Sequence, residues 1–96
     1  MPRPRKRRFL AGTGRPVVYK PAGVPLDGLR RLVLSAEELE ALRLADGESM
    51  TQVAAAAHMG VSRSTFQRTL DDAHRRVALA LVEGYALEIE GVRTDA

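Results

Sequence analysis

The 96-residue chain contains no cysteine and no tryptophan, and its aromatic content is only 4%. Without cysteine there are no disulfides, no thiolate chemistry and no cysteine-ligated zinc. With so few aromatics, a stacking platform for single-stranded nucleic acid is missing, which argues against an RNA-binding module. No apolar run approaches the ~20 residues of a membrane-spanning helix, and the basic start is not followed by the apolar stretch of a signal peptide. The expectation is a cytoplasmic protein with no membrane association.

What is present is ordinary for a folded domain: 45% apolar and 28% charged residues, at a length that suits one small domain. The formal net charge is only +3, but it is unevenly distributed. Arg3, Arg5, Lys6, Arg7, Arg8, Arg15 and Lys20 occupy the first 20 positions with no acidic residue among them, so 8 of the 15 basic residues share the rest of the chain with all 12 acidic ones. A basic arm of Arg3, Arg5, Lys6, Arg7 and Arg8 suits a polyanion. Pro2 and Pro4 prevent a regular start there.

From Phe9 to Pro25, short apolar pieces (Phe9, Leu10; Val17 to Tyr19) alternate with glycine and proline, predicting one or two short strands. Ser35 followed by Glu38, with Leu34 and Leu39 placed as a staple, is a capping signature for a helix from Ala36 to about Asp46, ending at Gly47. Leu39 and Leu42 lie on one face. Ala41 and Leu44 lie on the other, and are expected to be covered by something besides the following helices. Thr51 caps a short second helix from Gln52 to His58, made thin by Ala54 to Ala57. Gly60 suits the left-handed stop of that helix, and Ser62 caps a third from Arg63 to Glu83. Phe66, Leu70, Ala73, Val77 and Leu81 give the third helix its core stripe. Ala78, Leu79 and Val82 make its far end apolar all round, which predicts burial within the monomer or against a second copy. Tyr85, Leu87 and Ile89 alternate as a strand, with Val17 to Tyr19 as its natural partner.

The stretch from Thr51 to Leu70 carries the functional reading. A small residue at the helix crossing (Ala56), a glycine four residues on (Gly60) and an apolar anchor six further (Phe66) meet the spacing of a helix-turn-helix. In such a unit the second helix enters the major groove of DNA and its N-terminal residues contact base edges. Those positions here are Ser62, Arg63, Ser64, Thr65, Gln67 and Arg68. Arginine can pair with guanine and glutamine with adenine, while serine and threonine bond to phosphates or bases. Thr51, Gln52 and Arg75 are placed for the phosphodiester backbone. The plainer roles for the same side chains are helix caps for Thr51 and Ser62, and ion pairs of Arg68 with Asp72 or Asp71 with Arg75. His58 and His74 sit on different helices without a metal-ligand or catalytic set, and no serine lies in a nucleophile context. The expectation is a non-enzyme without cofactor or metal.

In order along the chain, MPRPRK, VVYKPAGVPL, LSAEELEALRLAD, MGVSRSTFQRTLDDAHRRVALALVEG and ALEIEG resemble a family of small prokaryotic proteins known as domain of unknown function one hundred and thirty-four. The resemblance covers nearly the whole chain. The central part is similar to region four of bacterial sigma factors, which reads promoter DNA through a helix-turn-helix. It implies a mainly α fold: a three-helix, sigma region-four-like core at residues 34–83, a basic arm and strand segment at 1–33, and a C-terminal strand and tail at 84–96. It also implies DNA recognition at Ser62 to Arg68, with Thr51 and Gln52 in the preceding helix. Ser49 stands where the family usually has glycine, and Gly47 and Thr69 stand where it usually has apolar residues. The resulting expectation is a sequence-specific double-stranded DNA-binding regulator, a homodimer because a lone unit makes few base contacts. The alternative is an interaction module that docks on RNA polymerase or another regulator.

Overall fold

The computed structural model describes residues 17–90. The elements are β1 (Val17–Tyr19), β2 (Arg31–Leu34), α1 (Ala36–Leu42) extended by a π-helical turn (Arg43–Gly47), α2 (Gln52–Met59), α3 (Arg63–Glu83) and β3 (Ala86–Ile89). The architecture is mainly α with a small sheet, as expected. The basic arm and the Phe9 to Leu10 piece lie outside the described residues.

The first helix starts where its capping signature places it. The Ser35 hydroxyl accepts from the Glu38 amide at 3.1 Å, and Glu38 Oε1 accepts from the Ser35 amide at 2.9 Å, so two otherwise unmatched donors are satisfied at once. Glu38 Oε2 also accepts from Arg76 Nη1 at 2.6 Å, which joins the start of α1 to the middle of α3. The helix widens after Leu42, where the Glu48 amide donates to the Arg43 carbonyl at 2.8 Å. The Arg43 guanidinium lies against both Glu40 and Glu48. The hydrogen bond to Glu40 comes first among the causes that raise its pKa further above the usual arginine value.

One expectation about α1 is reversed. Ala41 and Leu44 are fully buried and form one core with Ala55, Ala56, Phe66 and Leu70. The following helices are therefore what covers them. Leu39 and Leu42, on the other stripe, are half-buried, and Leu42 packs against the edge of this core. Two apolar stripes on one helix look alike in sequence, and here the side bearing the small Ala41 is the one packed inward.

The third helix has the bounds its sequence pattern predicts, from the Ser62 cap to Gly84. Its inward side is Phe66, Leu70, Ala73 and Ala80. Val77 is half-buried, and Leu81, expected in the core, is 78% exposed. Ala80 and Leu81 straddle the extrapolated stripe because the helical repeat is not an integer, and Ala80 is the one that is buried. The far end of α3 is also not enclosed by the described residues: Ala78 is exposed, and Leu79 and Val82 are 40% and 78% exposed.

The sheet has the order β1-β3-β2. β1 and β3 are antiparallel with Val17 opposite Ile89 and Tyr19 opposite Leu87, the pairing expected from the alternating pattern. β2 was not foreseen. It lies parallel to β3, with Arg31 beside Ala86 and Leu34 beside Ile89. Leu34, expected only as a staple for α1, is thus a buried sheet residue. Arg31 Nη1 meets Glu88 Oε1 at 3.0 Å across the strands, and the Arg30 guanidinium stacks over the Tyr85 ring at 5.2 Å.

Candidate nucleic-acid interface

The candidate interface is the α2, turn and α3 segment. The Thr51 side chain caps α2 by accepting from the Ala54 amide at 3.1 Å. Ala55 and Ala56 are buried, and side chains this small let α2 lie close against α3. Gly60 then reverses the chain with φ 72° and ψ 32°, a left-handed conformation that would strain any residue with a Cβ. The Val61 amide donates back to the Ala56 carbonyl at 3.0 Å, and Phe66 anchors the next helix with no exposed surface. The Ala56, Gly60 and Phe66 spacing read from the sequence corresponds to these three roles.

The start of α3 faces solvent. Ser62, Arg63, Ser64, Thr65 and Arg68 are exposed and Gln67 is half-buried. The Ser62 hydroxyl accepts from the Thr65 amide at 3.1 Å, donates to Thr65 Oγ1 at 2.9 Å and lies 3.3 Å from Ser64 Oγ. This places three hydroxyls together at the helix start. The side chains of Arg63 and Arg68 make no hydrogen bond or ion pair with another described residue, so their donors are open to an incoming acceptor.

Other predicted positions are engaged. Gln67 Nε2 donates to Asp71 Oδ1 at 2.8 Å, and Arg75 Nη1 meets Asp72 Oδ1 at 3.2 Å. Neither i, i+4 ion pair considered from the sequence, Arg68 with Asp72 or Asp71 with Arg75, is formed. The Gln67 and Asp71 contact is the feature sequence reasoning passed over, although a glutamine four residues before an aspartate is a recognised helix-surface pair. Thr51 is exposed as a cap, and Gln52 is half-buried beside it. Arg3, Arg5, Lys6, Arg7 and Arg8 lie outside the described residues. His74 Nε2 lies 2.7 Å from Asp46 Oδ2, linking α3 to the π-helical turn, and His58 is exposed. Among the described residues no group of three or more His, Cys, Asp or Glu is arranged to hold a metal ion, and no helix is long and apolar enough to cross a membrane.

Residues 1–95 match the family described as Protein of unknown function DUF134. The chain belongs to the DUF134 family. Similar proteins carry the name UPF0251 protein. One from Rhodospirillum rubrum is 50% identical over 91 residues, covering 95% of this chain and 64% of the relative. One from Moorella thermoacetica is 51% identical over 94 residues, covering 95% and 61%. One from Shewanella sediminis is 44% identical over 96 residues, covering 100% of both chains. The chain thus spans less than two thirds of the first two relatives and the full length of the third. No solved structure matches this DUF134 chain.

Proposed function

We propose that this DUF134 chain is a sequence-specific double-stranded DNA-binding protein, acting as a transcriptional regulator in the cytoplasm of a prokaryotic cell. The observation that carries this reading is the pair of exposed guanidinium groups of Arg63 and Arg68, which make no hydrogen bond or ion pair with another described residue, on a helix presented by the Gly60 reversal. The start of α3 enters the major groove, as in region four of sigma factors, with Arg63, Ser64, Gln67 and Arg68 toward base edges and Ser62 and Thr65 at its margin. Thr51, Gln52 and Arg75 lie along the phosphates, Arg75 exchanging Asp72 for a phosphate oxygen. The arm of Arg3, Arg5, Lys6, Arg7 and Arg8 adds contacts that do not depend on sequence. No enzymatic step, cofactor or metal enters this mechanism.

A duplex titration tests it. Affinity for a site selected from random duplexes should fall linearly on a log-log scale of salt concentration, by about 0.9 per phosphate neutralised. Arg68→Ala should remove preference at one or two base pairs, worth ~1 to 3 kcal/mol. Removing residues 1–8 should weaken all sequences alike. An Arg68→Ala variant that retains the full preference would overturn the assignment of α3 as the reading helix.

A second reading is supported by the exposure of Leu79, Leu81 and Val82 at the far end of α3, since clustered exposed apolar residues suit a protein contact. On this reading the chain is an interaction module that docks on RNA polymerase or another regulator. Partners retained after nuclease treatment would favour it. The same surface is compatible with DNA binding as a homodimer, and sedimentation showing only a ~10 kDa species at low micromolar concentration would remove the dimer, a doubling that two-fold operators would reward.

A further inference from the structure

We infer that Asp71 is a positioning residue that fixes the side-chain amide of Gln67 in one orientation for base reading; this rests on the DNA-binding reading above. The two residues are one helical turn apart on α3, and Gln67 Nε2 donates to Asp71 Oδ1 at 2.8 Å. A glutamine amide presents an acceptor at one end and two donors at the other, and free rotation about its last bond lets it offer either end. An ionised carboxylate accepts only. Asp71 therefore selects the rotamer with Nε2 turned toward it, leaving Oε1 and the second N–H as a fixed acceptor and donor pair. That pair matches adenine, whose major-groove edge offers the N6 amino donor beside the N7 acceptor. The N–H held by Asp71 is not needed for the base, so both contacts can exist together.

Charge makes this a device for selectivity rather than affinity. Asp71 is exposed on the outward side of the helix, so its carboxylate faces the same polyanion that Arg63 and Arg68 attract. It weakens attraction to every duplex while sharpening the choice among them. An exposed pair at this spacing adds little to helix stability, so loss of folding does not stand between the variant and its readout.

The test is a double-mutant cycle on the duplex that the wild-type protein enriches most from a random-sequence pool, together with its single base-pair substitutions. Gln67→Ala identifies the base pair whose preference depends on Gln67. Asp71→Ala should lower discrimination at that pair by ~10-fold, raise affinity for an unrelated duplex, and leave discrimination elsewhere intact. In the Gln67→Ala background, Asp71→Ala should change discrimination no further. Discrimination at the Gln67 pair that survives Asp71→Ala, or that falls equally whether or not Gln67 is present, would overturn the inference and leave the DNA-binding reading standing. A Gln67→Ala variant that changes no base preference would overturn it likewise. If the wild-type protein enriches no duplex at all, the DNA-binding reading falls and the inference with it.

Discussion

The two halves of α3 share an inward side and differ on the outward one. Phe66, Leu70 and Ala73 bury the first half as Ala80 buries the second. Outward, the first half shows Arg63, Ser64, Arg68 and Asp71, whereas the second shows Ala78, Leu79, Leu81 and Val82. One continuous helix thus offers a hydrogen-bonding surface at its start and a greasy one at its end. The core does not require either surface, because the inward residues already anchor the helix. Outward chemistry is where a role beyond folding is legible.

The largest test of that division is on the inward side. Phe66→Ala should cost ~3 to 5 kcal/mol of folding stability, measured by chemical denaturation, because it empties the centre of the core. Next, Arg68→Ala should leave stability within ~0.5 kcal/mol of the wild type while removing ~1 to 3 kcal/mol of base discrimination; a comparable loss of stability would blur the distinction between the two faces. Ser62→Ala should cost ~1 kcal/mol by releasing the Thr65 amide from its cap, read from the denaturation midpoint. Ser49→Gly should raise stability by up to ~1 kcal/mol, since Ser49 holds φ 56°, a region that glycine occupies with less strain. The smallest effect is expected at Leu81→Gln, within ~0.5 kcal/mol in dilute solution. A larger, concentration-dependent loss there would mean that the second half is covered by another copy, which would sharpen the contrast further.

Local signatures carried most of the helical layout. Ser35 with Glu38, Thr51, Gly60 and Ser62 each mark a helix end through chemistry within three or four residues, and α3 begins and ends where those marks place it. Ser49, where the resemblance led to the expectation of glycine, holds a left-handed position, which gives that expectation a backbone meaning. Choices that depend on distant neighbours were hidden. Arg31 to Leu34 has three apolar residues in succession and no decisive alternation, and its partner strand lies beyond all three helices. Which stripe of α1 faces inward, and whether Ala80 or Leu81 meets the core, are settled by what packs alongside. At the candidate interface, residue types and their exposure were legible, while the partners of Gln67 and Arg75 depended on side-chain geometry among several nearby carboxylates.

The parallel pairing of β2 with β3 also orders the chain's assembly. Arg31 and Glu88 meet across a separation of 57 residues, so this contact closes a loop containing every helix, and the entropy of closing a long loop must be overcome before its bonds form. Helices rely on nearby residues and form early, whereas pairings this remote are slow. During synthesis, β1 and β2 leave the ribosome long before β3, which joins both of them. Among the described residues β3 is the strand that completes the sheet, and contact order leads us to expect it to close on a helical unit formed ahead of it.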